Sequence, residues 1–247
     1  MIPCAKGTIP YVIQPGDTSW IIAHRFNTSV NAISKANPGL NLTHLNIGQI
    51  ICIPIPQNRA NIPHNEGEFS KAKVDLMNKM RELWEEHVAW TRMVILSMAI
   101  NNPDTTLTTN RLLRNPSDFT AQLTPLYGSD IASRFEALLK SHLMIASQLV
   151  QSAKAGDNSA AAEAERQWYA NADEIATFLA SINPYWSEND WKTMLHQHLA
   201  LTKSEAVNRL QGNYAEDIRI YDEIQAQALQ MADKMSEGIS RQFPNRF

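Results

Sequence analysis

Three histidines recur at nearly equal intervals in helical surroundings, and that repeat constrains the fold more than any other feature of the chain. "LWEEHVAWTR" carries His87, "LLKSHLMIA" carries His142 and "MLHQHLALT" carries His198. His142 follows His87 by 55 positions, and His198 follows His142 by 56. In each copy leucine or methionine precedes the histidine by three or four positions, and apolar residues follow it at helical spacing. Fourteen positions beyond each histidine stands a turn residue, namely Asn101, Gly156 and Gly212. The first two copies stay in step past the turn, with Arg111 matching Arg166 and Asp118 matching Asp173, whereas the third drifts. The spacing predicts three diverged helical hairpins, each a histidine-bearing helix, a turn and a returning helix. The first helices of successive hairpins then run parallel, with the histidines at a similar height along a bundle. Facing is clear for His87 and His142. It is ambiguous for His198, beside which Leu195, Leu199, Thr202 and Ala206 form a competing apolar stripe.

The helical pattern occupies residues 70–247, broken at "NNPD", "RNPSDF", "YGSD", "AGDN", "INPYWSEND" and "GNY". The first 56 residues have a different grammar. Two β-type runs, "YVIQ" and "QIICIP", enclose two short helical segments, in the order β, helix, helix, β. Asp17 or Thr18 is placed to cap "SWIIAHRF", and Ser29 to cap "VNAISKAN", which ends at "NPG". Between these regions the Pro/Asn-rich stretch at 57–69 reads as a linker. The fold class is therefore α+β, a small βααβ module at 1–56 followed by an all-α bundle.

The only cysteines, Cys4 and Cys52, both fall in the small module. A single disulfide between them would staple a unit whose core is marginal, and would fit an oxidising, extracytoplasmic location; two reduced thiols are the alternative. The 44% hydrophobic content supports a real core. The net charge of −3, from 22 basic and 25 acidic residues, gives no reason to expect nucleic acid or an anionic membrane as a partner. The longest apolar run, "MVILSMAI", is too short to span a bilayer, and no basic region followed by a hydrophobic one marks a signal peptide.

The stretch "YVIQPGDTSWIIAHRFNTSVNAISKANPGLNLTHLNIGQIICIP" resembles a LysM domain in its Y-x-I-Q-x-G-D-T start, its I-A-x-R-F helix, its A-N-P and its closing G-Q-x-I-x-I-P. The resemblance implies binding of β-1,4-linked glycans that contain N-acetylglucosamine, peptidoglycan or chitin. It places the binding groove between two loops, here Gly16, Asp17, Thr18 and Ser19 on one side and Pro38, Gly39, Leu40 and Asn41 on the other. Such loops offer accessible backbone to N-acetyl groups; Asp17 and Thr18 can equally serve as helix caps. Trp20 either packs in the module's core or adds a stacking surface. The helical region resembles segments that accompany LysM modules in spore-forming bacteria, which assigns it no activity.

Two readings of the histidines follow. In the first, each satisfies a buried polar network while its ring packs against Leu or Trp. In the second, His87, His142 and His198, backed by Asp118, Asp173 or Asp222, hold a divalent metal or small ligand. No E-x-x-H, H-E-x-x-H or H-x-x-x-H spacing supports the second, and the neighbours in "HQH" point to different sides of a helix. No cofactor is expected otherwise. Catalysis has little support, since the helical region lacks cysteine, a G-x-S-x-G elbow, a P-loop and a dinucleotide fingerprint. Glu85, Glu86, Glu163 and Glu165 read as solvated helical faces. The aromatics Trp168, Tyr169, Tyr185, Trp186 and Trp191 read as hairpin packing or as a sugar-stacking or partner-docking surface. The sequence as a whole reads as a non-enzymatic protein of the cell wall or spore envelope, whose bundle assembles with itself or docks a partner.

Overall fold

A computed structural model describes residues 4, 5, 7–14, 17–26, 28–42, 45–54 and 70–247. The chain separates into two compact units, Met1–Asn65 and Glu66–Phe247. The linker expected at 57–69, Gly16 and the side chain of Trp20 lie outside the described residues.

In the first unit, β1 (Thr8–Val12) pairs antiparallel with β2 (Ile50–Pro54), and α1 (Ser19–Arg25) and α2 (Val30–Ala36) lie between them in sequence. The first strand begins three residues before the expected "YVIQ" run. Pro10, which has no N–H to give, is paired with Cys52, whose backbone N–H and C=O turn away to the side chain of Asn37. A proline can therefore sit inside this strand without an orphaned partner. Ser29 caps α2 by accepting from the Ala32 N–H, and Thr18 accepts from the Ile21 N–H at the start of α1. The core is small, formed by Ile13, Ile22, Ala23, Ile33, Ile51 and Ile53. The Cys4–Cys52 disulfide is present, its Cα atoms 5.5 Å apart.

The described residues of the second unit form seven helices: α3 (Lys71–Ala99), α4 (Thr105–Leu112), α5 (Asn115–Tyr127), α6 (Ser129–Ala155), α7 (Asn158–Ile182), α8 (Glu188–Leu210) and α9 (Tyr214–Gln242). They make three hairpins: α3 with α4 and α5, α6 with α7, and α8 with α9. The turns after α3, α6 and α8 take left-handed backbone at Asn101 (φ 54°), Gly156 (φ 75°) and Gly212 (φ 79°), the residues that the repeat marks. The long helices α3, α6 and α8 touch one another and form the inner layer. Each returning helix packs on the next hairpin, α5 on α6 and α7 on α8, and α9 closes the ring by packing on α3. The ring's two ends also meet, because the Ser70 hydroxyl donates to the Phe247 carbonyl.

One continuous core runs through the unit. Phe119, Phe135, Leu179, Trp191 and Met231 are almost wholly buried in it, and each such side chain contributes roughly 1.5–3 kcal/mol. Trp168, Trp186 and Trp191 all belong to this core, which settles three of the five aromatics as packing. Trp186 lies so close to Gly238 that a Cβ there would stand 1.9 Å from its indole nitrogen. Tyr169 is partly buried, and Tyr185 is exposed, with the Arg241 guanidinium 4.4 Å from its ring centre.

Candidate functional sites

The first glycan-loop candidate is built around Asp17. Its carboxylate accepts from the Tyr11 hydroxyl at 2.6 Å and the Gln14 N–H at 2.8 Å, and pairs with Arg25 at 3.1 Å. The Tyr11 hydrogen bond, above all, holds the carboxyl below the usual aspartate range. Only 2% of that side chain is exposed, so Asp17 shapes the loop from inside. Thr18 is exposed and Ser19 half-buried. In the second loop Pro38, Gly39 and Asn41 are exposed, while Leu40 leans on the core. Gly39 has φ 85°, a conformation that suits glycine and turns the chain after α2. Asn37 ties this loop to the sheet: its amide donates to the Cys52 and Ile33 carbonyls and its oxygen accepts from the Cys52 N–H at 2.7 Å.

In the helical unit the three histidines do converge. All are buried, and with Trp84, Trp191 and Leu195 they surround a hollow of about 10 Å³. The rings of His87 and His198 lie 5.8 Å apart. Each histidine is held by an amide on the returning helix of its own hairpin. His87 Nδ1 lies 3.2 Å from Asn115 Oδ1, His142 Nδ1 2.9 Å from Asn171 Oδ1, and His198 Nδ1 3.1 Å from Gln227 Oε1. The same amides donate to the carbonyl four residues before each histidine, at Leu83, Leu138 and Met194. Since the amide NH₂ is committed to a carbonyl, its oxygen faces the ring and Nδ1 carries the proton. His142 Nε2 in turn accepts from the Trp168 indole N–H at 3.1 Å. Burial is the main cause that lowers the imidazole pKa values, to about 4 for His87 and about 3 for His142 and His198. All three rings are neutral near pH 7.

The three carboxylates proposed to back a metal do not join them. Asp118 pairs with Arg114, Asp173 with His196 and Lys192, and Asp222 is exposed. They lie on the outer faces of their helices, where a charged side chain keeps its hydration. Among the described residues, no three His, Cys, Asp or Glu side chains are grouped so as to hold a metal ion. The geometry that does exist, an imidazole bracketed by an amide three times over, is that of a buried polar network.

Two further features are invisible in the sequence pattern. Arg92 on α3 reaches Glu205 on α8 and Asp217 on α9, at 2.7 Å in the latter case, and Arg209 joins Asp217 at 3.2 Å. Glu205 and Asp217 are buried, and burial pushes the Glu205 carboxyl up against the pull of Arg92. The second is a cavity of about 470 Å³ at the end of the bundle that carries the three turns. Val94, Ile95, Met98, Leu112, Leu143, Val150 and Ala206, a cluster separate from the main core, all line it.

Residues 11–54 match the family model of the LysM domain, so the N-terminal unit contains a LysM domain; the helical unit lies outside that match. The chain is 44% identical over 50 residues to a secreted LysM effector, Blys4, of Beauveria bassiana, which is 20% of this chain and 29% of that protein. It is 43% identical over 54 residues to a Bacillus licheniformis protein named as an L,D-transpeptidase, YkuD, which is 22% of this chain and 33% of that one. The chain thus spans about a third of the length of the curated relatives it matches. No solved structure matches it.

Proposed function

We propose that this protein is an extracytoplasmic, wall- or spore-envelope-associated protein that binds N-acetylglucosamine-containing glycan, peptidoglycan or chitin, through its LysM domain. The observation that carries the reading is the match over residues 11–54. The disulfide and the secreted relative support the oxidising location. The groove that this reading assigns runs between the loop of Asp17, Thr18 and Ser19 and the loop of Pro38, Gly39, Leu40 and Asn41. In this reading Asp17 positions its loop, while the exposed backbone around Thr18 and Gly39 meets the sugar. The helical unit acts as an assembly or docking domain, with a second copy or an envelope protein as partner, and takes no catalytic step.

Co-sedimentation of the purified chain with insoluble peptidoglycan and with chitin tests the glycan reading. The full chain is expected in the pellet of at least one polymer, released by soluble N-acetylglucosamine oligomers. Pelleting by a protein that lacks residues 1–56 would overturn it.

A further inference from the structure

The cavity at the turn end of the helical unit is not purely apolar at its margin. Beside it, and sharing Met98 as a wall, is a second hollow of about 380 Å³ lined by Asn101, Thr105, Gln151 and Lys154. Helix α6 runs along both: Leu143, Ser147 and Val150 face the apolar cavity, and Gln151 and Lys154 the polar one. The Gln151 amide donates to the Ser147 hydroxyl across that boundary.

The charges around the two hollows are unequal. Lys203, on the wall of the apolar cavity, is committed to both oxygens of Glu165, at 2.6 and 2.7 Å. Nearby Asp104 accepts from Ser97, and Asp157 caps α7. Lys154 has no carboxylate partner among the described residues. Its ammonium donates to the Met98 carbonyl and to Asn101 Oδ1, which uses two of its three donors. Lys154, Gln151 and Asn101 are exposed, so the third donor faces solvent, and an anion seated in the polar hollow would take the place of water there.

We propose that the helical unit binds a single-chain amphiphile with a carboxylate head, a fatty acid, its tail in the apolar cavity and its head at Lys154. The apolar volume of about 470 Å³ falls within the range of small-molecule sites, roughly 300–1,000 Å³. The walls are mainly aliphatic, Ile95, Leu112, Leu143, Val150 and Leu210 among them, which suits a flexible methylene chain. The ligand reading is independent of glycan binding, and its failure leaves the co-sedimentation result untouched.

Calorimetric titration of the full chain with straight-chain fatty acids and their methyl esters, kept below micelle formation, tests the site. One saturable site is expected, with affinity rising about fourfold per added methylene until the cavity is full, then levelling. Lys154→Met is expected to weaken acid binding about tenfold while leaving the ester unchanged, and Lys154→Arg to restore it. Ala206→Phe, which fills the cavity, is expected to abolish binding of both; the Lys154 comparison stands alone if that variant does not fold. Affinity that grows with chain length without levelling, acid binding indifferent to Lys154, or no saturable binding would overturn the proposal. So would a dimer that Ala206→Phe dissociates and that excludes the acids, because the cavity would then be covered by a second copy.

Discussion

The two units are held together in different ways. The LysM unit has, among its described residues, a core cluster of six buried apolar side chains, and adds to it a covalent staple and one asparagine that stands in for a third strand. The helical unit has a large core and uses polar groups inside it, three times in the same form, as a histidine bracketed by an amide. A small unit gains most by restricting its unfolded chain, whereas a large one can carry the cost of buried polar groups and use them to fix one packing register.

Acid should separate the units most strongly. The histidine pKa values of about 3 to 4 lie below the ordinary 6.5, so between these values the unfolded chain binds protons that the folded one does not. Stability then falls as pH falls, by as much as roughly 4 kcal/mol per pH unit for the three together. Denaturant titrations of the full chain from neutral pH to about pH 4 should show the helical transition collapsing with an uptake of about three protons. Asp17 is shifted in the same direction, but its window lies lower: its contribution is present above the ordinary aspartate value and is lost only as pH falls through the lower, folded one. A helical transition indifferent to acid would break the contrast.

Reduction of Cys4–Cys52 is the next largest effect. The bridge closes a separation of 48 residues, and its loss should cost the LysM unit about 4 kcal/mol, enough to unfold it, while the helical transition stays in place. Differential scanning calorimetry with and without reductant reads both at once.

Asn37→Ala and Asn171→Ala compare the two devices directly. Each leaves buried backbone or imidazole groups unpaired, and each should lower its own unit's stability by about 3 kcal/mol without touching the other. The smallest effect, about 1 kcal/mol, is expected from the caps Ser29→Ala and Ser187→Ala, measured as shifts in the same two melting transitions.

Much of this was legible from local spacing. The three turn residues, the caps at Thr18 and Ser29, and the histidine-bearing helices could be read because the physics that sets them acts within a few positions. The amide partners were also present as a repeat, since Asn171 follows Asn115 by 56 positions and Gln227 follows Asn171 by 56. They were missed for two physical reasons. The first returning segment is broken between α4 and α5 and is one residue shorter from histidine to amide, so matching Arg111 with Arg166 and Asp118 with Asp173 is out of register by one. The matched arginines accordingly do unrelated things: Arg111 reaches Glu86, and Arg166 reaches Glu163. In the third copy a glutamine makes the bonds that asparagine makes elsewhere. The Arg92 cluster and the apolar cavity had no local signature, because each depends on helices brought together from across the whole unit.

The meeting of Ser70 with Phe247, and of α9 with α3, has a topological consequence. Every neighbouring pair of hairpins shares the same kind of seam, and the backbone crosses two of those seams while the third, between α9 and α3, is held by noncovalent contacts alone. Joining residue 247 to residue 70 and opening the chain at Gly128 instead would move the covalent break to an equivalent seam. Such a circular permutant should fold to the same bundle, and a gene for one hairpin alone encodes, in outline, the protomer of a three-fold symmetric assembly.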